Sequence, residues 1–337
     1  MVIEFAPMEG ISVYPFRMAH KSLYGGIDRY YLPFVEAHQT KTLKKKEMKD
    51  LLPEHNPGGC CVPQLMAKRA DLALCYIEMV EEYGFSEINL NFGCPSGTVT
   101  AKGKGAGALE DPEGMDRFFD ELFHGLATKN SEVRISVKSR IGMTSCDKME
   151  DLISVYNRYP FSEIIVHPRL GKDAYKGTVN LEAFDEFYEN LRIPVSYNGD
   201  LRTAEDVRSV SSRYPRLHAV MIGRGLLADP ALGERISGPV SEGAHADRQE
   251  EAAIPAPLQD PRLLHFLETL EEAWMEDLHD SVSVLFRLKE YWTYLAWNFE
   301  DSLTVQKKIR KARSLSEYHA AVRKLLTSAP CDISTDL

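Results

Sequence analysis

Short runs of β-branched and aromatic residues alternate with amphipathic stretches over the first two thirds of the chain. The short runs match strands, whereas the stretches between them repeat apolar residues at i, i+3, i+4 and i+7, the spacing of a helix. Strands are predicted at residues 3–6, 28–35, 61–66, 87–91, 134–139, 163–168, 193–198 and 218–223. Helices are predicted at residues 71–84, 115–127, 149–159, 181–191 and 204–214, and Asp71, Asp111 and Thr203 stand near the starts of three of them.

Eight strand-and-helix units within about 235 residues predict an α/β fold of the (β/α)8 TIM-barrel type, in both count and length. An open doubly wound sheet is the alternative, because alternation alone does not show that a sheet closes. No GxGxxG motif follows the first predicted strand, and this counts against a dinucleotide-binding sheet.

The pattern changes after residue 236. Residues 237–260 are rich in Ala, Pro, Gly, Glu and Ser and are typical of a surface linker. Residues 261–327 have helical periodicity throughout and predict a small all-helical C-terminal domain of three or four helices. We therefore predict a catalytic barrel at 1–236, a linker at 237–260, a helical domain at 261–327 and a flexible tail at 328–337.

The composition of the 337 residues is that of a soluble protein, with 44% hydrophobic and 27% charged residues. The chain has no run of about 18 apolar residues and no basic leader before an apolar stretch. We expect a cytoplasmic protein without membrane contact, for which a monomer suffices. The six cysteines form no CxxC pair and have no histidines at zinc spacing, so that no metal is expected and the thiols are reduced.

The net charge of −10 disfavours loose attachment to nucleic acid but leaves room for a local basic face. Two basic clusters stand out along the chain. They are Lys41, Lys44, Lys45, Lys46 and Lys49 near the start, and Lys307, Lys308, Arg310, Lys311 and Arg313 near the end. Each cluster is also compatible with a solvated helix face.

Polar residues occur where most of the predicted barrel strands end. Active sites of such barrels lie at the C-terminal ends of the strands, so these residues should converge at one mouth. Gly199, Gly223 and Gly225 let backbone N–H groups approach a phosphate, whereas Lys138 and Gln64 suit the polar edge of a flat heterocycle. A phosphate and a planar ring together indicate FMN. A salt bridge at Lys138, a core histidine at His167 or a simple turn at Gly199 would explain each position singly, but these explanations would have to coincide at one end of the barrel.

Several motifs in this region resemble those of the tRNA-dihydrouridine synthase family, in the same order. They are APMEGISVYPFR (6–17), NFGCPSGTVTAKGKGAGAL (91–109), VKSR (137–140), HPRLGKDAYKG (167–177), YNGD (197–200) and MIGRG (221–225). The resemblance covers about residues 1–235. The C-terminal helices are similar in kind to the family's helical domain, and RLKEYWTYL is a degenerate form of its basic-aromatic segment.

The resemblance implies an FMN enzyme that reduces the C5–C6 double bond of particular uridines in tRNA. NADPH would reduce the flavin, hydride would pass to uracil C6, and Cys94 would supply the proton at C5. The residues that the resemblance assigns to FMN are Pro7, Met8, Glu9, Gln64, Lys138, His167, Asn198, Gly199, Asp200, Gly223 and Arg224. Asn91 matches a residue near the uracil, and further substrate contacts are predicted at Arg140, Arg169, Tyr175, Lys102 and Lys104, the two lysines on the RNA backbone.

The chemistry of a thiol agrees with a proton-donor role for Cys94. A donor must be mostly protonated at working pH, and an unperturbed thiol with a pKa of about 8.5 meets this condition. The alternative, a buried structural cysteine, fits Cys75 on its predicted helix. The glycine-rich residues that follow Cys94 predict a mobile cover with the thiol at its base, which would open for a flipped uridine.

Some positions depart from the family's motifs. Ser12-Val13 replaces Thr-Asp, Glu9 replaces an alanine, Leu170 replaces a threonine, Asp173 replaces a glutamine, and Gly97-Thr98 replaces two lysines. These changes bear on tRNA contacts and substrate choice and leave the flavin set and Cys94 intact.

Two other functions are compatible with such a barrel. One is an FMN-dependent reductase of a small molecule, similar to dihydroorotate dehydrogenase or an ene-reductase, and the other is an RNA-binding relative without turnover. The basic segment near residue 310, together with Arg287, Lys289, Tyr291, Trp292 and Tyr294, suits a phosphate backbone and unstacked bases and so favours tRNA. The residue pattern does not determine which uridine is reduced.

Overall fold

All strands of the described chain run parallel and belong to one sheet. The computed structural model describes residues 1–238 and 256–327. The predicted tail and most of the predicted linker lie outside these residues. The strands are β1 (Val2–Phe5), β2 (Arg29–Tyr31), β3 (Val35–Glu36), β4 (Cys61–Val62), β5 (Gln64–Met66), β6 (Glu87–Phe92), β7 (Arg134–Arg140), β8 (Glu163–His167), β9 (Val195–Asn198) and β10 (Ala219–Ile222).

Two prolines each divide a predicted strand into two short strands. The sheet closes into a barrel through the pairing of these short strands. Pro33 separates β2 from β3, and Pro63 separates β4 from β5, because proline has no N–H for the ladder. β2 pairs with β4 and β3 pairs with β5, so the two broken strands lie side by side. β1 pairs with both β2 and β10, and the remaining strands pair in sequence from β5 to β10. Eight strands thus form a closed ring, which confirms the predicted barrel and excludes the open sheet.

Helices follow the strands and continue to the end of the described chain. They are α1 (Tyr14–Leu23), α2 (Lys45–Leu51), α3 (Ala70–Glu81), α4 (Gly97–Thr100), α5 (Pro112–Thr128), α6 (Met149–Tyr156), α7 (Leu181–Asn190), α8 (Ala204–Arg213), α9 (Arg224–Ala228), α10 (Leu232–Ser237), α11 (Arg262–Leu278), α12 (Ser281–Leu295), α13 (Ser302–Lys311) and α14 (Leu315–Thr327).

The described chain divides into two compact units. The barrel unit comprises residues 1–14, 27–201 and 205–223, and the helical unit comprises residues 15–26, 202–204, 224–238 and 256–327. Residues 15–26 and 224–236, which the sequence analysis assigns to the barrel domain, therefore group with the C-terminal helices. The ring of Phe16, for example, stacks on that of Tyr291 with centroids 5.4 Å apart.

The helix α5 shows how the sequence directs its apolar face. Asp111 accepts a hydrogen bond from the backbone N–H of Gly114 and so caps the helix start, as its position predicts. The buried residues recur at helical spacing and are Met115, Phe118, Phe119, Leu122 and Leu126. Phe119 packs against Phe92 of β6, so that this helix covers the strand that ends before Cys94.

The interior of the barrel contains a carboxylate cluster made of Glu4, Glu87 and Glu163. Arg29 lies among them, with Nη1 3.2 Å from carboxylate oxygens of both Glu4 and Glu163, and it also pairs with Glu87. Tyr31 donates to Glu4 at 3.0 Å and to Glu163 at 3.1 Å. Burial and the nearby Glu163 raise the pKa of Glu4 well above its ordinary value.

The core of the helical unit is built from aromatic residues. Trp274 donates its indole N–H to Tyr291, and Trp292 donates to Tyr318 at 3.0 Å. Tyr291 is 2% exposed and Trp292 is 1% exposed. The expectation that these two rings contact RNA bases is therefore wrong. Their spacing along the helix places both side chains on its buried face.

The described residues contain no helix that is both long enough and apolar enough to cross a membrane. In residues 1–238 and 256–327, no three histidine, cysteine or acidic side chains lie together in a way that could hold a metal ion.

Candidate active site at the C-terminal ends of the barrel strands

Strand register places the predicted polar residues next to one another. Asn91 is the register partner of Lys138, and Arg140 is the partner of His167. Register partners in a parallel sheet point to the same face, and so do residues two apart on one strand. Asn91, Lys138, Arg140 and His167 therefore share the inner face of the barrel.

A chain of side-chain hydrogen bonds crosses three strands and ends at Cys94. Asn89 donates to Ser136 at 3.0 Å and accepts from Gln64 at 2.7 Å. Gln64 in turn accepts from the Asn91 amide at 2.8 Å. The Asn91 oxygen then accepts the backbone N–H of Cys94 at 2.9 Å. The amide of Asn91 thus positions the backbone that carries the thiol.

Arg140 joins the Cys94 segment to the loop after β8. Its guanidinium donates to the backbone carbonyls of Gly93 at 2.9 Å, Leu170 at 2.8 Å and Ala174 at 2.8 Å. The residue is 2% exposed. Arg140 was predicted to contact substrate, but the structure directs its donors to the protein's own backbone.

The thiol of Cys94 lies half-buried under a glycine. Burial raises the pKa of Cys94, although a hydrogen bond from the backbone of Ser96 opposes the shift. Gly105 has a φ of +53°, and a Cβ there would come within 2.7 Å of the Cys94 carbonyl oxygen. The same carbonyl accepts the N–H of Ala106 at 3.0 Å. The backbone of Cys94 is therefore held in place, and burial favours the protonated form of its thiol.

The segment after Cys94 has local structure of its own. It forms α4 and a 3₁₀ helix over Gly105–Glu110, with Val99, Ala106 and Leu109 buried. Its mobility remains a prediction. Of its two lysines, Lys102 is exposed, whereas Lys104 pairs with Glu36 at 2.9 Å and has a side chain only 14% exposed.

Lys138 carries an amine at the centre of the mouth. Burial and the neighbouring Arg140 lower its pKa to about 7. Among the described residues no hydrogen bond or ion pair engages this amine. Lys138 is half-buried, and its amine suits a ligand with acceptor atoms, as the polar edge of a flavin ring provides.

Residues at the end of β8 and in the loop that follows it differ in their exposure. Arg169 forms a two-point ion pair with Asp200, at 3.0 and 2.5 Å, and is 3% exposed. Arg169 is thus bound by Asp200, which the resemblance assigns to FMN. His167 is buried, and the ring of Tyr175 lies 6.4 Å from its ring. Tyr175 is 53% exposed and offers a face for stacking.

The turn after β1 is closed by Ser12. The Ser12 hydroxyl accepts the N–H of Met8 at 2.7 Å and donates to the Met8 carbonyl, and the residue is fully buried. Serine here departs from the threonine of the family's motif, but the hydroxyl that fixes the turn is kept. Pro7 and Met8 are half-buried in this turn, and Glu9 is exposed.

The ends of β9 and β10 bring two glycines and an amide together. Asn198 donates to the carbonyl of Met221 at 2.7 Å, which ties the two strand ends. A Cβ on Gly199 would lie 2.9 Å from Val179, and a Cβ on Gly223 would lie 3.3 Å from the sulfur of Met8. Gly199 is therefore required by packing. Arg224, the next residue after Gly223, lies in the helical unit, with its guanidinium 6.0 Å from the Trp297 ring.

Asn89 and Ser12 position neighbouring site residues, a role that the sequence patterns do not assign to them. Asn89 stands two residues before Asn91 on β6, so the alternation of strand side chains already places it on the inner face. Ser12 gives no such signal, because its role depends on a turn with no repeating pattern.

Comparison with known proteins agrees with this geometry. The model of the family described as dihydrouridine synthase (Dus) matches residues 4–324. The chain belongs to this family. It is accordingly a flavin-dependent oxidoreductase.

Relatives of this dihydrouridine synthase are similar over most of their length. A tRNA-dihydrouridine(16) synthase of Pseudomonas syringae pv. tomato is 26% identical over 316 residues, covering 92% of this chain and 95% of the relative. One of Haemophilus ducreyi is 29% identical, covering 73% and 76%. The tRNA-dihydrouridine synthase B of Pasteurella multocida is 27% identical, covering 68% and 67%.

Solved structures support the fold of this family member. A mutant of morphinone reductase in complex with tetrahydroNAD superposes with a TM-score of 0.52 and 10% identity, over 70% of this chain and 86% of that chain. At this identity the likeness shows a shared barrel fold and nothing about the substrate.

Proposed function

We propose that the protein is a tRNA-dihydrouridine synthase that reduces the C5–C6 double bond of a uridine in tRNA, with FMN as cofactor and NADPH as reductant. The observation that carries the proposal is the frame around Cys94. Asn91 accepts the backbone N–H of Cys94, Arg140 donates to the carbonyl of the preceding Gly93, and the N–H of Ala106 donates to the Cys94 carbonyl. Lys138 lies beside Asn91 on the same face of the sheet. A structural cysteine would need no such frame.

Lys138, Gln64 and the glycines at the ends of β9 and β10 would hold the flavin. Lys138 would bond the polar edge of the ring, and Gly223 would leave room for the phosphate. A flavin bound there would supply the hydride for uracil C6. The pairing of Asp200 with Arg169 ties the loop after β9 to the loop after β8 rather than offering a charge to either ligand.

Cys94 completes the reduction in this proposal. Its Sγ–H bond breaks as the proton passes to uracil C5, and the carbon there gains the hydrogen that complements the one added at C6. The positive charges of Lys138 and Arg140 stabilise the thiolate that remains, as both favour the ionised form of Cys94. A proton from water then restores the thiol. Tyr175 would stack on the uracil, since its ring is the exposed one beside His167.

Nucleoside analysis of the reaction product tests the proposal. The purified protein is expected to be yellow, to take up FMN and to oxidise NADPH faster when unmodified tRNA is added. Mass spectrometry of the digested tRNA should then show dihydrouridine. Position 16 is the first to examine, because several relatives are named for it.

Two results would overturn the proposal. A protein that is colourless and takes up no FMN would exclude any flavin chemistry at this site. A yellow protein that reduces enones or orotate and leaves tRNA unchanged would favour the small-molecule reductase. A transcript with cytidine in place of the mapped uridine is the matched control, and it should give no product at that position.

A further inference from the structure

Four exposed lysines stand together near the mouth of the barrel and have no part in the chemistry above. Lys41 lies in the segment after β3, and Lys44, Lys45 and Lys46 lie at the start of α2. This segment leaves the C-terminal end of a barrel strand, the end at which Cys94 also lies. We call Lys41, Lys44, Lys45 and Lys46 the mouth lysines.

Local structure gives no reason for this cluster. Lys44 is the residue before α2, and Lys45 and Lys46 are its first two residues, at the helix end where cations are unfavourable. Of these three lysines, Lys44 pairs with Glu47, whose carboxylate lies 3.4 Å from Lys44 Nζ. The Glu47 side chain is 12% exposed. Three consecutive lysines at that end are therefore more compatible with an external anion than with helix stability.

The neighbouring loops extend the positive charge towards Cys94. Lys68 follows β5 and donates to the carbonyl of Lys102, which belongs to the segment after Cys94, at 3.1 Å. Both lysines are exposed. Tyr76 of α3 donates to the carbonyl of Thr42, so the loop that carries the mouth lysines is tied to the next helix round the barrel.

The acidic groups near these lysines are fewer and mostly engaged. Residues 36–71 and 93–105 hold nine lysines and arginines and five carboxylates, in a chain whose net charge is −10. Glu36 pairs with Lys104, and Asp71 pairs with Arg69. Asp50 is buried and accepts the backbone N–H of Tyr14. The loops at this end of the barrel thus carry a local positive excess, in contrast to the net charge of the whole chain.

We propose that the mouth lysines bind the phosphodiester backbone of the tRNA next to the uridine that enters the site. This inference rests on the proposed function. Lysine ammonium groups bind phosphates as point charges without demanding a fixed geometry, which suits a backbone that must bend as its base leaves the stack. The cluster adds RNA affinity without reading sequence.

Replacement of the mouth lysines by glutamine tests the inference. Binding of unmodified tRNA by K41Q/K44Q/K45Q/K46Q is measured at several salt concentrations beside the wild type. If each lysine contacts one phosphate, the slope of log K against log salt becomes shallower by about three, and affinity at low salt falls at least about tenfold. Replacement of the same four residues by arginine should restore both quantities, which separates lost charge from misfolding.

The matched control removes four charges from the opposite end of the barrel. Lys129, Arg158, Arg192 and Arg216 are exposed and precede β7, β8, β9 and β10. Their replacement by glutamine changes the net charge equally and is expected to leave the salt slope near that of the wild type. An equal loss in this control, or wild-type binding by the mouth-lysine variant, would overturn the inference. Wild-type protein that forms no dihydrouridine at all would instead overturn the proposed function.

Discussion

At the scale of single residues, Cys94 is suited to give a proton because its surroundings keep that proton in place. Burial raises the pKa of the thiol, whereas Lys138 and Arg140 favour the thiolate that remains after transfer. In the proposed reaction, burial would protect the acid before the transfer, and the cations would stabilise the thiolate once the proton has left.

Replacement of Cys94 by alanine should separate the two halves of the reaction. C94A is expected to bind FMN and to oxidise NADPH at close to the wild-type rate, and to lose at least about 100-fold in dihydrouridine formation, the usual range for a missing general acid. Stopped-flow flavin absorbance and product mass spectrometry measure the two steps. C75A is the control, because Cys75 is half-buried on α3 outside this frame. Wild-type product from C94A would remove the thiol from the mechanism.

Arg140 is expected to act through Cys94 rather than on the substrate. Lysine in its place keeps a charge but cannot reach three carbonyls, so both R140K and R140Q should lower product formation by at least about tenfold, with a stability loss of about 1–3 kcal/mol. R140Q should also raise the pKa of Cys94, because a positive neighbour is removed.

Alkylation of the free enzyme measures this effect without substrate. The rate of Cys94 alkylation against pH should shift to higher pH in R140Q and less in R140K. An unchanged profile with reduced product formation would return Arg140 to the role of a substrate contact.

At the scale of elements, the segment after Cys94 depends on a backbone that only glycine adopts easily. Gly105 has a positive φ and lies against the Cys94 carbonyl, so that the 3₁₀ helix over Gly105–Glu110 starts in contact with Cys94. A movement of this segment would therefore be coupled to the Cys94 backbone through one close approach.

G105A should disturb both the segment after Cys94 and the position of the Cys94 backbone. The added Cβ meets the Cys94 carbonyl oxygen at 2.7 Å, and the strained φ adds a cost of about 1–3 kcal/mol. We expect a lower melting temperature and a loss in product formation larger than the loss in NADPH oxidation. G97A is the control in the same segment, since a Cβ there meets nothing within 4 Å. Equal behaviour of the two variants would contradict the coupling.

At the scale of the whole molecule, the carboxylate cluster in the barrel makes stability depend on pH. Glu4 has a pKa raised by burial and by Glu163, and Oε2 of Glu4 has no hydrogen-bond partner among the described residues. The folded state therefore holds a proton that the unfolded state releases near pH 4.5. Stability from this group is complete below that pH and is lost as pH rises towards the folded-state pKa.

E4Q should flatten this dependence, because glutamine has the shape of the protonated carboxyl and does not titrate. Between pH 5 and pH 8 the free energy of unfolding of the wild type should fall by at least about 1 kcal/mol more than that of E4Q. Denaturant titrations at several pH values measure the difference. E132Q, a change at an exposed position before β7, is the control and should follow the wild type. Parallel curves for E4Q and the wild type would show that Glu4 does not titrate in this range.

The sequence by itself determined the order and type of the barrel elements, because strand and helix periodicities are local properties of the chain. It also indicated Cys94 and Lys138, since chemistry-bearing residues at strand ends must meet once the strands are parallel. Closure of the ring through the halves beside Pro33 and Pro63 was decided by tertiary pairing. So were the roles of Arg140 and Arg169, whose side chains resemble substrate ligands in sequence and bind the protein's own groups in space. Tyr291 and Trp292 show the same limit. A sequence shows which side chains can bind RNA, but burial decides which of them are exposed to it.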